Sequence, residues 1–152
     1  MPCEIWKRTG AGGRKEADSL FQRAVEANPN DAVTVGDYGR FKLVCEKNEG
    51  EAEVLLRKAV GIDGGCVVAL YNLGQLLFLR GEAVEAEECF RGVLGVDVNH
   101  VEALRYMGKL WKGRDRGKCE AFFKKAILSL EGKLSSSNSA STKAEILAEM
   151  RA

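Results

Sequence analysis

Apolar residues recur along this chain in amphipathic segments, and the clearest pair runs from Val67 to His100 around a hinge at Arg80-Gly81-Glu82. Their spacing is that of helices with one buried stripe. It predicts helices over 14–27, 32–46, 51–62, 67–80, 82–96, 101–112 and 117–130. Within the pattern, particular positions repeat. Small residues fall at Gly39, Gly74 and Gly108, spaced 35 and 34, and again at Ala17, Ala52, Ala86 and Cys119, spaced 35, 34 and 33. A bulky column follows at Phe21, Leu56, Phe90 and Phe123, and then a smaller one at Ala24, Ala59, Val93 and Ala126. A recurrence of this length is the signature of stacked structural units and outranks any local motif.

The departures from a fixed period are confined to one place. From the glycine column to the alanine column the distance is 13, 12 and then 11 residues, whereas the return distance stays at 22. Length variation therefore belongs to the turn inside each unit, where an exposed loop tolerates it while the packed faces keep register.

These columns resemble the tetratricopeptide repeat (TPR) family. The central unit matches with Leu70, Leu73-Gly74, Leu77, Ala86, Phe90, Val93 and Asp97-Val98-Asn99. The preceding unit gives Val35, Tyr38-Gly39, Ala52, Leu56, Ala59 and Ile62-Asp63, and the following one Leu104, Met107-Gly108, Trp111, Cys119, Phe123 and Ala126. Asn28-Pro29-Asn30 is the best copy of the family's closing turn. Two departures predict looser joints: Lys42 stands where the family has an aromatic, and Gly64-Gly65 and Val98 replace the closing proline. The resemblance implies an all-α fold, a right-handed α-solenoid of stacked antiparallel helix hairpins with about three and a half TPR units.

The organisation that follows is an N-terminal tail over 1–13, a repeat domain over 14–134, a Ser-rich linker over 135–142 and a C-terminal helix over 143–152. Within the repeat domain, 14–31 is a half unit, and full units cover 32–66, 67–100 and 101–134. Ile5 and Trp6 could cap the first exposed helix. Asp31 is positioned to N-cap the helix after Pro29, and Thr142-Lys143-Ala144-Glu145 has the form of a capping box. Gly36, Gly92, Gly95 and Gly113 stand where the pattern requires no small residue; each costs a helix interior about 1 kcal/mol relative to alanine, so moderate stability is expected.

Composition narrows the function. With 45% hydrophobic and 30% charged residues the chain reads as globular, and a net charge of +1 supplies no global field toward nucleic acid or an anionic membrane. No apolar run is long enough to span a bilayer, and the first fifteen residues lack the apolar core of a signal peptide, so the expected compartment is cytoplasmic. Five cysteines, Cys3, Cys45, Cys66, Cys89 and Cys119, are odd in number and include no Cys-x-x-Cys pair. They read as reduced thiols, with Cys89 and Cys119 as small buried hydrophobes.

Catalytic chemistry finds no footing. The single histidine, His100, has no recognisable nucleophile and acid beside it, no Cys/His cluster has metal-ligand spacing, and Gly10-Ala11-Gly12-Gly13-Arg14-Lys15 lacks the ending of a phosphate loop. No catalytic residue, cofactor or metal is expected. What remains is binding. In the family the first helix of each hairpin lines a concave groove. Carried onto this chain, its outward positions are Asp37 and Arg40, then Tyr71, Asn72, Gln75 and Phe78, then Arg105, Tyr106, Lys109 and Lys112. The centre is amphipathic and the far end basic, so the expected partner is an extended peptide or helix with an acidic end and an apolar or aromatic middle.

The family's clamp for chaperone C-terminal tails is not matched. Asn72 fits one of its positions, but Gly36, Arg40, Glu102 and Tyr106 replace its other Lys, Asn and Arg residues, and Glu102 would repel a carboxylate. An alternative from another class is an RNA-associated protein. Arg105, Lys109, Lys112, Arg114, Arg116, Lys118, Lys124 and Lys125 crowd the last unit with Tyr106 and Trp111 among them. Trp111, however, falls in a core column.

Overall fold

The structure, a computed structural model, describes the backbone of residues 4–132 and 137–152 and the side chains of 12–132 and 140–152. It is all-α: among the described residues there is no strand. The helices are α1 (Glu4–Ala27), α2 (Ala32–Phe41), α3 (Glu49–Ile62), α4 (Val67–Arg80), α5 (Ala83–Val96), α6 (Val101–Trp111), α7 (Arg116–Gly132) and α8 (Ser137–Arg151). A π-helical turn, Lys42–Glu46, extends α2. The chain divides into two compact units, Met1–Leu76 and Leu77–Ala152.

In the N-terminal unit, α2 and α3 form a hairpin whose closest approach is at Gly39. A Cβ there would stand 2.8 Å from Leu56 Cγ and 3.2 Å from the Leu56 backbone nitrogen, so only glycine lets the helices meet. In the C-terminal unit, α6 and α7 cross at the corresponding glycine, Gly108, where a Cβ would stand 2.8–2.9 Å from the Phe123 ring. From α3 onward the columns read from the sequence are the core. Ala52, Leu56, Ala59, Ala86, Phe90, Val93, Phe123 and Ala126 are completely buried, and Cys119 is nearly so. Each large side chain removed from water in this way contributes roughly 1.5–3 kcal/mol.

Helix starts have identifiable causes. Asp31 accepts from the Val33 amide, Asn48 from Glu51 and Asp115 from Lys118, each satisfying a donor that the helix itself cannot. His100 does the same for α6, its Nδ1 accepting from the Ala103 amide at 3.2 Å. The sole histidine is thus a helix cap. Gly81 and Gly113 have φ of +85° and +83° in the turns after α4 and α6. Gly113 therefore lies outside any helix interior and carries no helix penalty, because left-handed backbone is what glycine permits.

Several expectations are corrected. The N-terminal tail expected over 1–13 is helical from Glu4, Gly10 to Gly13 included; the side chains of Ile5 and Trp6, expected as a cap, lie outside the described residues. Among the described side chains of α1 only Ala17 is buried: Phe21 and Val25 are half-buried against Tyr38 and Phe41, while Leu20 and Ala24 face out. A helix packed on one side only covers half of its stripe. The C-terminal helix begins at Ser137 rather than 143, so the Ser-rich segment is helical from that point and the proposed capping box is helix interior. Packing of Ile146 against the last hairpin offsets the poor helix propensity of the serines.

The expected loose joints are also corrected. Without proline, the closing turns are held by aspartates: Asp63 Oδ1 accepts from the Gly65 amide at 2.8 Å, and Asp97 Oδ1 from Asn99 at 3.0 Å. Lys42 does not loosen its unit. It is 6% exposed, and its ammonium meets Asp18 of α1 at 2.7 Å, Glu46 at 2.8 Å and Glu51 of α3 at 3.0 Å. Tyr38 donates to the same Asp18 at 2.7 Å, and the Lys42 ammonium lies 5.3 Å from the centre of its ring. The ladder opens into a π turn at this residue, and Lys47 closes the turn in left-handed conformation with φ of 55°.

Candidate functional site

Asp37 and Arg40 are on α2, one turn apart, and pair at 3.1 Å with both side chains partly in solvent. On α4, Tyr71 and Gln75 are half-buried. Asn72 corrects its expected outward role. It is 4% exposed, and its amide donates to the Val68 carbonyl at 2.7 Å, so it completes the interior of its own helix. An asparagine in a hydrophobic run can be read as outward by polarity alone; only burial tells the two cases apart.

In the C-terminal unit an aromatic cluster stands on the first-helix side. Tyr106 stacks on Phe90 with centroids 4.9 Å apart and meets Phe78 edge-on at 5.2 Å. The Lys109 ammonium lies 5.1 Å from the Tyr106 ring centre. Such ring and cation contacts hold Tyr106 in one orientation and make it a firm anchor.

The basic positions that follow are not a free patch. Arg105 donates twice to Glu149 of α8, at 2.8 and 3.3 Å, and once to Glu102 at 3.1 Å; Glu145 is 3.6 Å away. Lys109 meets the same Glu149 at 2.9 Å. Hydrogen bonding to Glu149 raises the Arg105 pKa despite burial. Burial opposes ionisation of Glu149, but Arg105 and Lys109 outweigh it and hold its pKa below the ordinary value. Beneath these pairs Ile146 is fully buried with Val101, Leu104 and Phe123. A helix with an apolar centre and two carboxylates turned toward Arg105 therefore already sits on α6 and α7. Ile146, Leu147 and Met150 recur at helical spacing along the sequence, and Glu145 and Glu149, one turn apart beside them, are the signal for the electrostatic half.

Elsewhere in the last unit, Arg114 pairs with Glu87 at 3.3 Å, Arg116 with Glu120 at 3.1 Å and Lys124 with Glu120 at 3.7 Å. Trp111 is half-buried rather than core, with Lys118 4.3 Å and Arg114 5.6 Å from its ring centre. Its Nε1 is buried without a hydrogen-bond acceptor. Lys112 is exposed and ends α6. Cys66 and Cys119 are buried and Cys45 and Cys89 half-buried, all as free thiols; burial raises the Cys119 pKa. Among the described residues no three His, Cys, Asp or Glu side chains stand together as metal ligands, and no helix is long and apolar enough to cross a membrane.

This architecture is shared with solved structures. The fold aligns with MamA at a TM-score of 0.67 and 20% identity, over 99% of this chain and 92% of that one. It aligns with PilW, a type IV pilus biogenesis factor, at 0.69 and 19% identity, over 97% and 71%. It also aligns with YrrB, described as a TPR protein with an unusual peptide-binding site, at 0.66 and 20% identity, over 73% of this chain and 57% of YrrB. No protein-family model and no curated protein sequence matches the chain. The fold is thus an all-α, TPR-type fold, as the repeating columns implied.

Proposed function

We propose that this protein is a non-catalytic interaction module of the cytoplasm that binds a peptide or helix of another protein on the first-helix faces of its hairpins. The observation that carries this reading is the seating of α8. Ile146, Glu145 and Glu149 dock on the α6 and α7 hairpin through an apolar centre and acidic flanks, which is the partner chemistry that the groove positions call for. α8 lies chiefly along α7, but its Glu149 reaches Arg105 and Lys109 on α6, so these first-helix positions already take a carboxylate from a helix. The peptide-binding site ascribed to YrrB, on a similar fold, is in keeping with it. In the N-terminal unit the corresponding contact residues are Asp37, Arg40, Tyr71 and Gln75; in the C-terminal unit they are Phe78, Tyr106 and Lys112.

Chaperone C-terminal tails are not the ligand on this reading, since Asn72 is turned inward and Arg105, beside Glu102, is already paired. The RNA alternative is the weaker one. Arg105, Lys109, Arg114, Arg116 and Lys124 are ion-paired, and both ring systems available to stack on bases are flanked by other side chains. Affinity capture from native cells tests the proposal. Tyr71→Ala and Phe78→Ala, folded by circular dichroism, are expected to lose specific protein partners that the wild type retains. Recovery of the same partners by both variants would remove the first-helix faces from consideration.

A further inference from the structure

By neutralising Arg105 and Lys109, Glu149 displaces the basic end of the surface from the place where the sequence put it. The same helix carries Arg151 toward the turn after α6. There Lys112, Arg114, Arg116 and Arg151 line a groove of about 420 Å³ in which Glu120 is the one carboxylate side chain, with Ala152 at its edge. That volume is in the range of about 300–1,000 Å³ typical of ligand pockets. Cys119, almost fully buried, and half-buried Met150 add apolar surface to it. Neither Lys112 nor Arg151 has a carboxylate within ion-pair distance among the described residues. Arg116 is paired only along its own helix, with its side chain 93% exposed, a contact too weak to hold it from a better acceptor.

We infer that this groove is the receptor for the acidic end of a protein partner, taking carboxylates on Lys112 and Arg151 with Arg116 in support, and one small apolar side chain against Cys119 and Met150. The inference rests on the interaction-module reading and names where the acidic end goes. Charge complementarity selects an anion, and the lining favours a peptide over a nucleic acid: it contains no aromatic ring on which a base could stack. Guanidinium and ammonium groups around a partly apolar floor fit a carboxylate-bearing peptide, with Arg151 able to offer paired donors.

The test is fluorescence anisotropy with a labelled acidic peptide, Asp-Glu-Leu-Asp-Glu-Asp, and with a labelled oligouridylate, at low and at physiological salt. Wild-type protein is expected to bind the peptide in preference to the oligouridylate. The double variant Lys112→Glu, Arg151→Glu should bind it at least about tenfold more weakly, and the neutral pair Lys112→Gln, Arg151→Gln should fall between. Lys125→Glu, on α7 away from the groove and equal in charge change to the neutral pair, should stay within about twofold of wild type. An equal loss in Lys125→Glu, no peptide binding by wild type, or preference for the oligouridylate each overturns the inference. The two readings fail separately. If Tyr71→Ala loses its cellular partners while the Lys112, Arg151 variants bind the peptide like wild type, the groove is discarded and the module stands. The converse pattern keeps the groove and discards the first-helix faces.

Discussion

Each compact unit ties a third helix to a hairpin through a basic side chain on the hairpin's first helix or its extension, and the two ties differ in burial. Lys42 joins α1 to α2 and α3 with its side chain 7% exposed; Arg105 joins α8 to α6 with 14% exposed, against Glu149 at 26%. The N-terminal tie draws on carboxylates from three places in the unit, Asp18, Glu46 and Glu51. The C-terminal tie lies over a fully buried apolar residue, Ile146. The lesson concerns exchangeability. A buried ammonium stripped of its partners leaves charge in a poor solvent, whereas a guanidinium nearer the surface can trade one carboxylate for another at a smaller cost. The N-terminal helix is therefore built in, and the C-terminal helix is the one a competing acidic segment could imitate.

The largest expected effect tests that contrast directly. Lys42→Ala leaves Asp18 and Glu46 partly buried without their counter-ion and is expected to cost about 3 kcal/mol in urea unfolding. A loss below that of Arg105→Ala would reverse the comparison. Next come the two crossings. Gly39→Ala and Gly108→Ala force a methyl group against Leu56 and Phe123, and each should cost about 2 kcal/mol, read as a lowered melting temperature. Similar losses would show that both hairpins depend on the same close approach.

Arg105→Ala should cost about 1 kcal/mol overall, with faster amide hydrogen exchange in α8 than in α1. Unchanged protection of α8 would mean that Ile146 alone holds it. Acid titration separates the two ties further. Burial works against ionisation of Asp18, but hydrogen bonds from Lys42 and Tyr38 and the Lys42 charge hold its pKa below the ordinary 3.8; Glu149 is likewise lowered from 4.5. A carboxylate with a depressed folded pKa contributes stability that is present above its unfolded value and lost as pH falls through the folded one. Unfolding stability should thus decline below about pH 4.5 in Glu149's contribution and below about pH 3.8 in Asp18's. Asp18→Asn and Glu149→Gln should each flatten its own part of the acid limb, and a limb unchanged in both would contradict the assignment.

The smallest effect is a gain. A methyl group at Gly95 meets nothing within 4 Å, so Gly95→Ala should stabilise by about 1 kcal/mol. At Gly36 it would rest 3.5 Å from the Ala69 Cβ in ordinary contact, and a similar gain is expected there.

Much of the fold could be read without coordinates, because a helix that must bury one stripe writes its period into the sequence. Gly39 and Gly108 announced their crossings by recurring along the chain together with Leu56 and Phe123 on the next helix. The site was less legible. Polarity put Asn72 outside, yet its amide turns back to its own helix; charge put Arg105 and Lys109 in solvent, yet a segment some forty residues later covers them.

The repeat period, the hairpin boundaries, the core columns and the lack of recognisable catalytic spacing are all consequences of local order along the chain, and sequence alone determined them. Which charges are spent within the protein and which are left for a partner is not local. It depends on where α1 and α8 dock, since an ion pair forms by distance in space and a lysine in an aromatic column is tolerable only if acids from other helices surround it. Only the tertiary structure decided that Lys42 is held inside, that Arg105 is taken, and that Lys112 and Arg151 meet no carboxylate side chain among the described residues.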